Sequence, residues 1–192
     1  GSGKSTLVKL ACGLLYPTEG MATYDGVSIK QINSKDLAKS LGIVLQDVQL
    51  FSGSVRENII MGRDNISDED IVSAGKLSGL DDFIGKMPGG YDFQLLDRGK
   101  GLSGGQRQAI AISRGMVHKP THLILDEPTS SMDLNAEKDF ITKLSQTIGK
   151  STVLLVSHRI PLLKILDRIF IIHEGMIVDD GPTDEILDKL NS

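Results

Sequence analysis

At 192 residues, with 40% hydrophobic and 24% charged side chains, the chain has the size and balance of one folded domain with a sizeable core. A formal net charge of −4 argues against a nucleic-acid binder, whose footprint is basic. No run of roughly 18 consecutive apolar residues is present to cross a membrane, and the single cysteine, Cys12, rules out an internal disulfide and suits a reducing compartment.

The chain opens with GSGKST, Gly1 to Thr6, which reads either as a linker scar or as the second half of a phosphate-binding loop. Leu7, Leu10, Ala11 and Leu14 then recur at helical spacing, and Tyr16-Pro17 is expected to end that helix. Cys12 falls inside the pattern and reads as core filler. MATYDGVSI predicts a hairpin turning at Asp25-Gly26. Ser34 is expected to cap a short helix over 35–40, and LGIVLQ reads as a buried strand ending at Gln46. Residues 54–87 show helical patterns broken by Gly62, Gly75, Gly79 and Pro88, with Ser67 and the acids Asp68, Glu69 and Asp70 as a solvated helix start. A helix is expected from Gln106 to His118, with Ala109, Ile110, Ile112, Met116 and Val117 available for burial.

Buried strands follow at 122–126 and 152–157, on either side of a helix over 134–148. RIFIIH and MIVDD predict a strand pair turning at Glu174-Gly175, and Thr183 is expected to cap the last helix. Strands alternating with helices, each strand apolar on both faces, imply an α/β fold with a parallel sheet covered on both sides. Residues 48–117 read as an all-helical insertion between two parts of that core, 1–47 and 118–192.

Three constellations carry chemistry. In a phosphate loop, glycines let backbone N–H groups face phosphate oxygens, the lysine reaches the β- and γ-phosphates, and the next hydroxyl binds Mg²⁺. Gly1, Ser2, Gly3, Lys4, Ser5 and Thr6 fit those roles, with the following helix start facing the anion. The full pattern begins with a glycine that would lie upstream of Gly1, so the expectation is a chain that starts inside the loop. The feeding strand, and an aromatic residue against adenine, would then lie upstream. LILDEP, Leu123 to Pro128, is an apolar strand that delivers two carboxylates, Asp126 and Glu127. Asp126 suits Mg²⁺ and Glu127 an attacking water; paired acids at a buried strand end need a cation. LSGGQRQ, Leu102 to Gln108, is a second anion-binding helix start.

LSGGQ stands unchanged as the signature of ABC-transporter ATPases, and the resemblance covers essentially the whole chain. It excludes the linker reading and implies a P-loop NTPase of the RecA-like kind, with ATP and Mg²⁺ as its cofactors and an inserted signature subdomain. By resemblance, Lys4 matches the phosphate-loop lysine and Ser5 a Mg²⁺ ligand. Gln46 matches the glutamine that meets Mg²⁺ and the attacking water, and Asp126 the second metal ligand. Glu127 resembles the general base, and His158, in VSHR, the switch histidine on the γ-phosphate. Ser103, Gly104, Gly105 and Gln106 would bind the nucleotide held by a second nucleotide-binding domain, and Asp133, in SSMD, belongs to the loop that crosses to that partner. A homodimer is the implied assembly. Arg107 is expected to order the signature helix. His118 and His173 read as solvated residues, and His122 as an edge position.

QDVQLFSGSVRENI, Gln46 to Ile59, resembles the exporter branch, in which a transmembrane domain is normally fused upstream. The family's loop before the signature, roughly T-x-V-G-E-x-G, is FQLLDRG here; Asp97 stands for the glutamate, while Phe93 and Leu96 depart from Thr and Gly. DEPTSSMD and the stretch from Ser157 to Leu187 look similar to the ATPases of type I protein secretion. That resemblance implies a periplasmic adaptor, an outer-membrane channel, no nucleic acid, and a place on the cytoplasmic face of the plasma membrane (the bacterial inner membrane). Bacteriocin-peptide and lipid exporters share most of these letters. A soluble ABC protein acting on ribosomes or DNA is the alternative from another class, and the exporter-like block and acidic charge weigh against it.

Overall fold

A computed structural model describes residues 2–190. Its first part carries helix α1 (Lys4–Ala11), strands β1 (Thr23–Tyr24) and β2 (Val27–Ser28), helix α2 (Ser34–Ser40) and strand β3 (Leu41–Val44). The middle holds strand β4 (Gly53–Ser54), helices α3 (Val55–Ile60), α4 (Asp68–Ser78) and α5 (Asp81–Ile84), strand β5 (Gln94–Leu95) and helix α6 (Gly104–Met116). Then come β6 (His122–Asp126), α7 (Leu134–Thr147), β7 (Thr152–Val156), α8 (Ile160–Leu163), β8 (Arg168–His173), β9 (Met176–Pro182) and α9 (Thr183–Leu190).

β6 is the middle strand of a parallel sheet, with β3 on one side and β7 on the other. Its alternation sorts the two faces. Leu123 and Leu125 pack with Ala111 and Ile112 of α6 and with Phe140 and Leu144 of α7. Ile124 points the other way, onto Val8 of α1, Cys12 just after that helix, and Leu37 of α2. Helices therefore cover both faces, as strands apolar on both sides require. Cys12 is core filler as expected: burial, then the nearby Asp126 charge, pushes its thiol up to about 11. The hairpin forms at Asp25-Gly26, with both residues at positive φ, as a tight primed turn demands.

The middle region has its own core of Leu50, Val55, Ile59, Ile71, Leu80 and Ile110, joined by further apolar side chains. It also carries one short antiparallel pairing, β4 with β5. Helix α6 serves both cores: Ala109 and Ile110 face the helical one, Ala111 and Ile112 the sheet. Two glycines let it approach β3. A Cβ on Gly42 would lie 2.2 Å from the Gly115 carbonyl oxygen, and one on Gly115 would lie 2.9 Å from Val44. Near the C-terminal end of α6, half-buried Arg114 donates to the carbonyls of Asn58 and Gln49 and to Asn58 Oδ1. Asn58 in turn bonds both backbone groups of Phe51. The loop after Gln46 is thereby tied to α6.

Several sequence expectations shift. α1 ends at Ala11, well before Pro17, because Gly13 adopts φ 71 and Leu14 N–H bonds back to the Lys9 carbonyl. Asn33, not Ser34, caps α2, accepting from the Lys35 N–H at 2.9 Å. β3 stops at Val44, so Gln46 lies in the exposed loop beyond the strand. Gly75 sits inside α4 and makes room for Tyr91, whose hydroxyl would be 2.0 Å from a Cβ there. The helix after the signature starts at Gly104 and ends at Met116. Thr183 does not stand ahead of α9 as a cap; it lies within the helix, and its hydroxyl donates to the Leu166 carbonyl. His118 is half-buried, with Nε2 against the Leu41 carbonyl, and burial lowers its pKa. His122 opens the central strand rather than an edge, with its ring edge-on to Tyr24. The acids of α4 are not merely solvated: Ser67 and Asp70 form a capping box, and Asp70 also pairs with Lys119.

Candidate functional site

Helix α1 begins at a glycine. Gly3 takes φ 97, open to glycine at low cost, and no side chain caps the helix. Its first-turn amides are therefore unsatisfied donors at the positive end of the helix dipole. Lys4 folds back so that Nζ donates to Ser2 Oγ at 2.6 Å, and the Ser2 carbonyl accepts from Gly175 N–H at 3.1 Å. Ser5 and Thr6 are exposed in the same turn. Gly1 lies outside the described residues.

α1 packs on β6, whose last residue is Asp126. This carboxylate is 7% exposed, and burial, then Glu127, pushes its pKa up, while Lys4 pulls it down and Asp47 raises it. Two further acids and one lysine thus act on this carboxylate. The residue after the strand, Glu127, adopts φ 49 and donates its N–H to the Val156 carbonyl at 2.9 Å. That bond turns its side chain toward the end of β7. There Oε1 meets His158 Nδ1 at 2.8 Å, and Ser157 Oγ lies 3.4 Å from Oε2. A carboxylate only accepts, so His158 Nδ1 carries the proton in this contact and Nε2 is left for another partner. His158 is otherwise exposed.

The signature forms a second, separate locus. Ser103 and Gln106 make a reciprocal capping box: Ser103 Oγ accepts from Gln106 N–H at 3.2 Å, and Gln106 Oε1 accepts from Ser103 N–H at 2.9 Å. The first-turn amides of Gly104 and Gly105 take no intrahelical partner. Arg107 donates to the Leu102 carbonyl at 2.6 Å and so orders this helix start. Ser131 covers both glycines; a Cβ on either would meet it at 3.2 Å. Asp133 caps α7, accepting from the amides of Asn135 and Ala136. Ser103, Gly104, Gly105, Gln106 and Asp133 line one cavity of about 440 Å³. Among the described residues, no hydrogen bond or ion pair joins this locus to Lys4.

Residues 1–130 match the family model described as ABC transporter. The chain belongs to the ABC transporter family. Aligned over 189 residues, the ABC domain is 39% identical to ABC transporter B family member 14 of Arabidopsis thaliana, covering 98% of this chain and 15% of that protein. It is 39% identical over 191 residues to the leukotoxin translocation ATP-binding protein LktB of Mannheimia glucosida, covering 100% of this chain and 27% of that protein. The solved structure of a bacterial Atm1-family ABC exporter with ATP bound superposes with a TM-score of 0.90 at 33% identity, over 98% of this chain and 33% of that one. The domain therefore spans a third or less of each of these relatives. Its fold is that of the ABC ATPases, and its relatives include exporters.

The donor set suits Mg²⁺. Ser5, Gln46 and Asp126 offer hard oxygen atoms, and the acid-rich neighbourhood of Asp126 calls for a cation. No helix among the described residues is long and apolar enough to cross a membrane. Sequence reasoning overlooked Thr129, Glu137, Ser157 and Arg159, whose side chains bond one another or Glu127. The signal was present: Glu137 shares a stripe of α7 with Phe140 and Leu144, a charged residue on the buried face of an amphipathic helix.

Proposed function

We propose that the chain is the ATP-binding and ATP-hydrolysing domain of an exporter, working as one of a pair. In this reading ATP lies between the Lys4 loop of one copy and the Ser103 loop of the other. The observation that carries it is the contact of Glu127 Oε1 with His158 Nδ1 at 2.8 Å, at the strand end that also holds Asp126. The separation of the two anion-binding helix starts supports a nucleotide shared between copies. The core made of residues 1–47 and 118–192 would hold the nucleotide, and residues 48–117 would present the signature.

Chemically, Glu127 is the base that orients and deprotonates the attacking water. His158 bridges Glu127 and the γ-phosphate when both ring nitrogens carry a proton, Nδ1–H donating to the carboxylate and Nε2–H to a phosphate oxygen. Lys4 and the α1 amides meet the phosphate charge that grows in the transition state, where preorganised donors act most strongly. Ser5, Gln46 and Asp126 would hold Mg²⁺, which would supply positive charge against the phosphates.

The membrane partner is a transmembrane domain carried on the same or an associated chain, which places the ATPase at the cytoplasmic face. For the cargo we propose a protein or peptide, with a periplasmic adaptor and an outer-membrane channel, supported by the leukotoxin-translocation relative. In the assembled transporter, Glu127→Gln is expected to bind MgATP normally and to lose turnover by roughly 10²-fold or more, the scale of a missing general base. Hydrolysis near the wild-type rate would overturn the base assignment.

A further inference from the structure

We infer that Glu137 is a positioning residue that holds the His158 segment against Glu127, an inference that rests on those two side chains being the hydrolytic pair. Glu137 projects from α7 and is 5% exposed. Its Oε1 accepts from Thr129 Oγ1 at 3.0 Å, and its Oε2 accepts from Arg159 Nη1 at 2.6 Å. Thr129 is 1% exposed and stands two residues after Glu127. Arg159 follows His158 directly, and its N–H donates to Ser157 Oγ at 3.1 Å. Ser157 Oγ faces Glu127 Oε2, and His158 Nδ1 meets Glu127 Oε1. The bonds close a ring: Glu127, the turn to Thr129, Glu137, Arg159, His158 and back to Glu127.

The ring has a physical rationale. Glu127 and His158 sit on segments that follow two different strands, β6 and β7. Backbone pairing sets those strands in register only to Asp126 and Val156, with one further bond from Glu127 N–H to the Val156 carbonyl. Beyond that point the two chain segments diverge, and side chains must fix their separation. A carboxylate is expensive to bury, and an apolar side chain would complete the Phe140–Leu144 stripe without that cost. Glu137 instead presents one oxygen to each segment, which an apolar residue cannot do. Thr129 and Arg159 thereby inherit a common, rigid origin on α7, and errors of about 1 Å at such a pair lower turnover strongly.

Glu137→Gln is the discriminating variant, because it keeps the side-chain volume and an oxygen for Thr129. Arg159, partly exposed, can then turn toward water, so no buried charge is stranded. In the assembled transporter the expected result is a kcat lowered on the order of ten- to a hundred-fold with KM within about twofold, since only the transition-state geometry is disturbed. In a His158→Ala background, Glu137→Gln should add less than about a further twofold, because it acts through His158. Thermal unfolding of each variant confirms folding, and Thr129→Val, which removes one bond of the ring, should repeat the pattern more weakly. Equal loss of kcat from Glu137→Gln in both backgrounds would assign it a general structural role and overturn the inference. A folded Glu137→Gln with unchanged kcat would do the same. If His158→Ala alone left kcat intact, the hydrolytic pair itself would fall, and the positioning role with it.

Discussion

Asp70 does more than its place in a run of acids implies. It completes the capping box of α4 with Ser67 and pairs with Lys119 on the turn between α6 and β6. Those hydrogen bonds, Lys119 first, hold its carboxyl at about 2, against 3.8 for the unconstrained group. The folded protein therefore gives up this proton more readily than the unfolded chain. The stabilisation is complete above the unfolded value and disappears as pH falls through about 2. Asp70→Asn should be less stable than wild type at neutral pH, with the two converging in acid, by denaturant titrations between pH 2 and 7. A gap that stays constant across that range would show that the carboxylate charge is irrelevant. The helix-start role of Ser67 was legible from residue order alone; the reach to Lys119, a non-local partner, was not.

At the scale of elements, α6 is the piece on which the other parts depend. Ser103 ends it at the signature, Arg114 holds the loop after Gln46, and its flanks fill two cores. Its closeness to β3 depends on Gly42 and Gly115. A methyl group at Gly42 would press on the Gly115 carbonyl and on Pro120, neither of which is a flexible side-chain end. Gly42→Ala should destabilise by roughly 1–3 kcal/mol, the usual cost of overpacking. For a domain of this size that corresponds to a melting temperature lower by about 2–12 °C. An unchanged melting temperature would show that α6 can shift away freely. Apolar periodicity announced this helix, yet its burial on nearly all sides was hidden, because period alone does not say how many neighbours a helix has.

At the scale of the whole molecule, the proposed pairing rests on two helix starts. The phosphate loop and the signature are both helix starts with unsatisfied amides, and the chain keeps them apart. Two copies arranged head to tail would bring each loop to the other's signature. In the Glu127→Gln background, MgATP should convert monomer to dimer in sedimentation or light scattering. Removing MgATP should reverse it, whereas a monomer at saturating MgATP would remove the shared-nucleotide model.

Residue order by itself determined the local features: the hairpin at Asp25-Gly26, the helix start at Ser67, the buried strands, the signature and the acids at the end of β6. Each depends on neighbours a few residues apart, so spacing carries the information. Only the tertiary structure decided that β6 is central, that α6 joins two cores, and that Glu127 meets His158 across two strand ends. The same holds for Glu137, whose partners lie 8 and 22 residues away. Such contacts arise when strands pair and helices close over them, and a linear pattern does not encode which distant segments will meet.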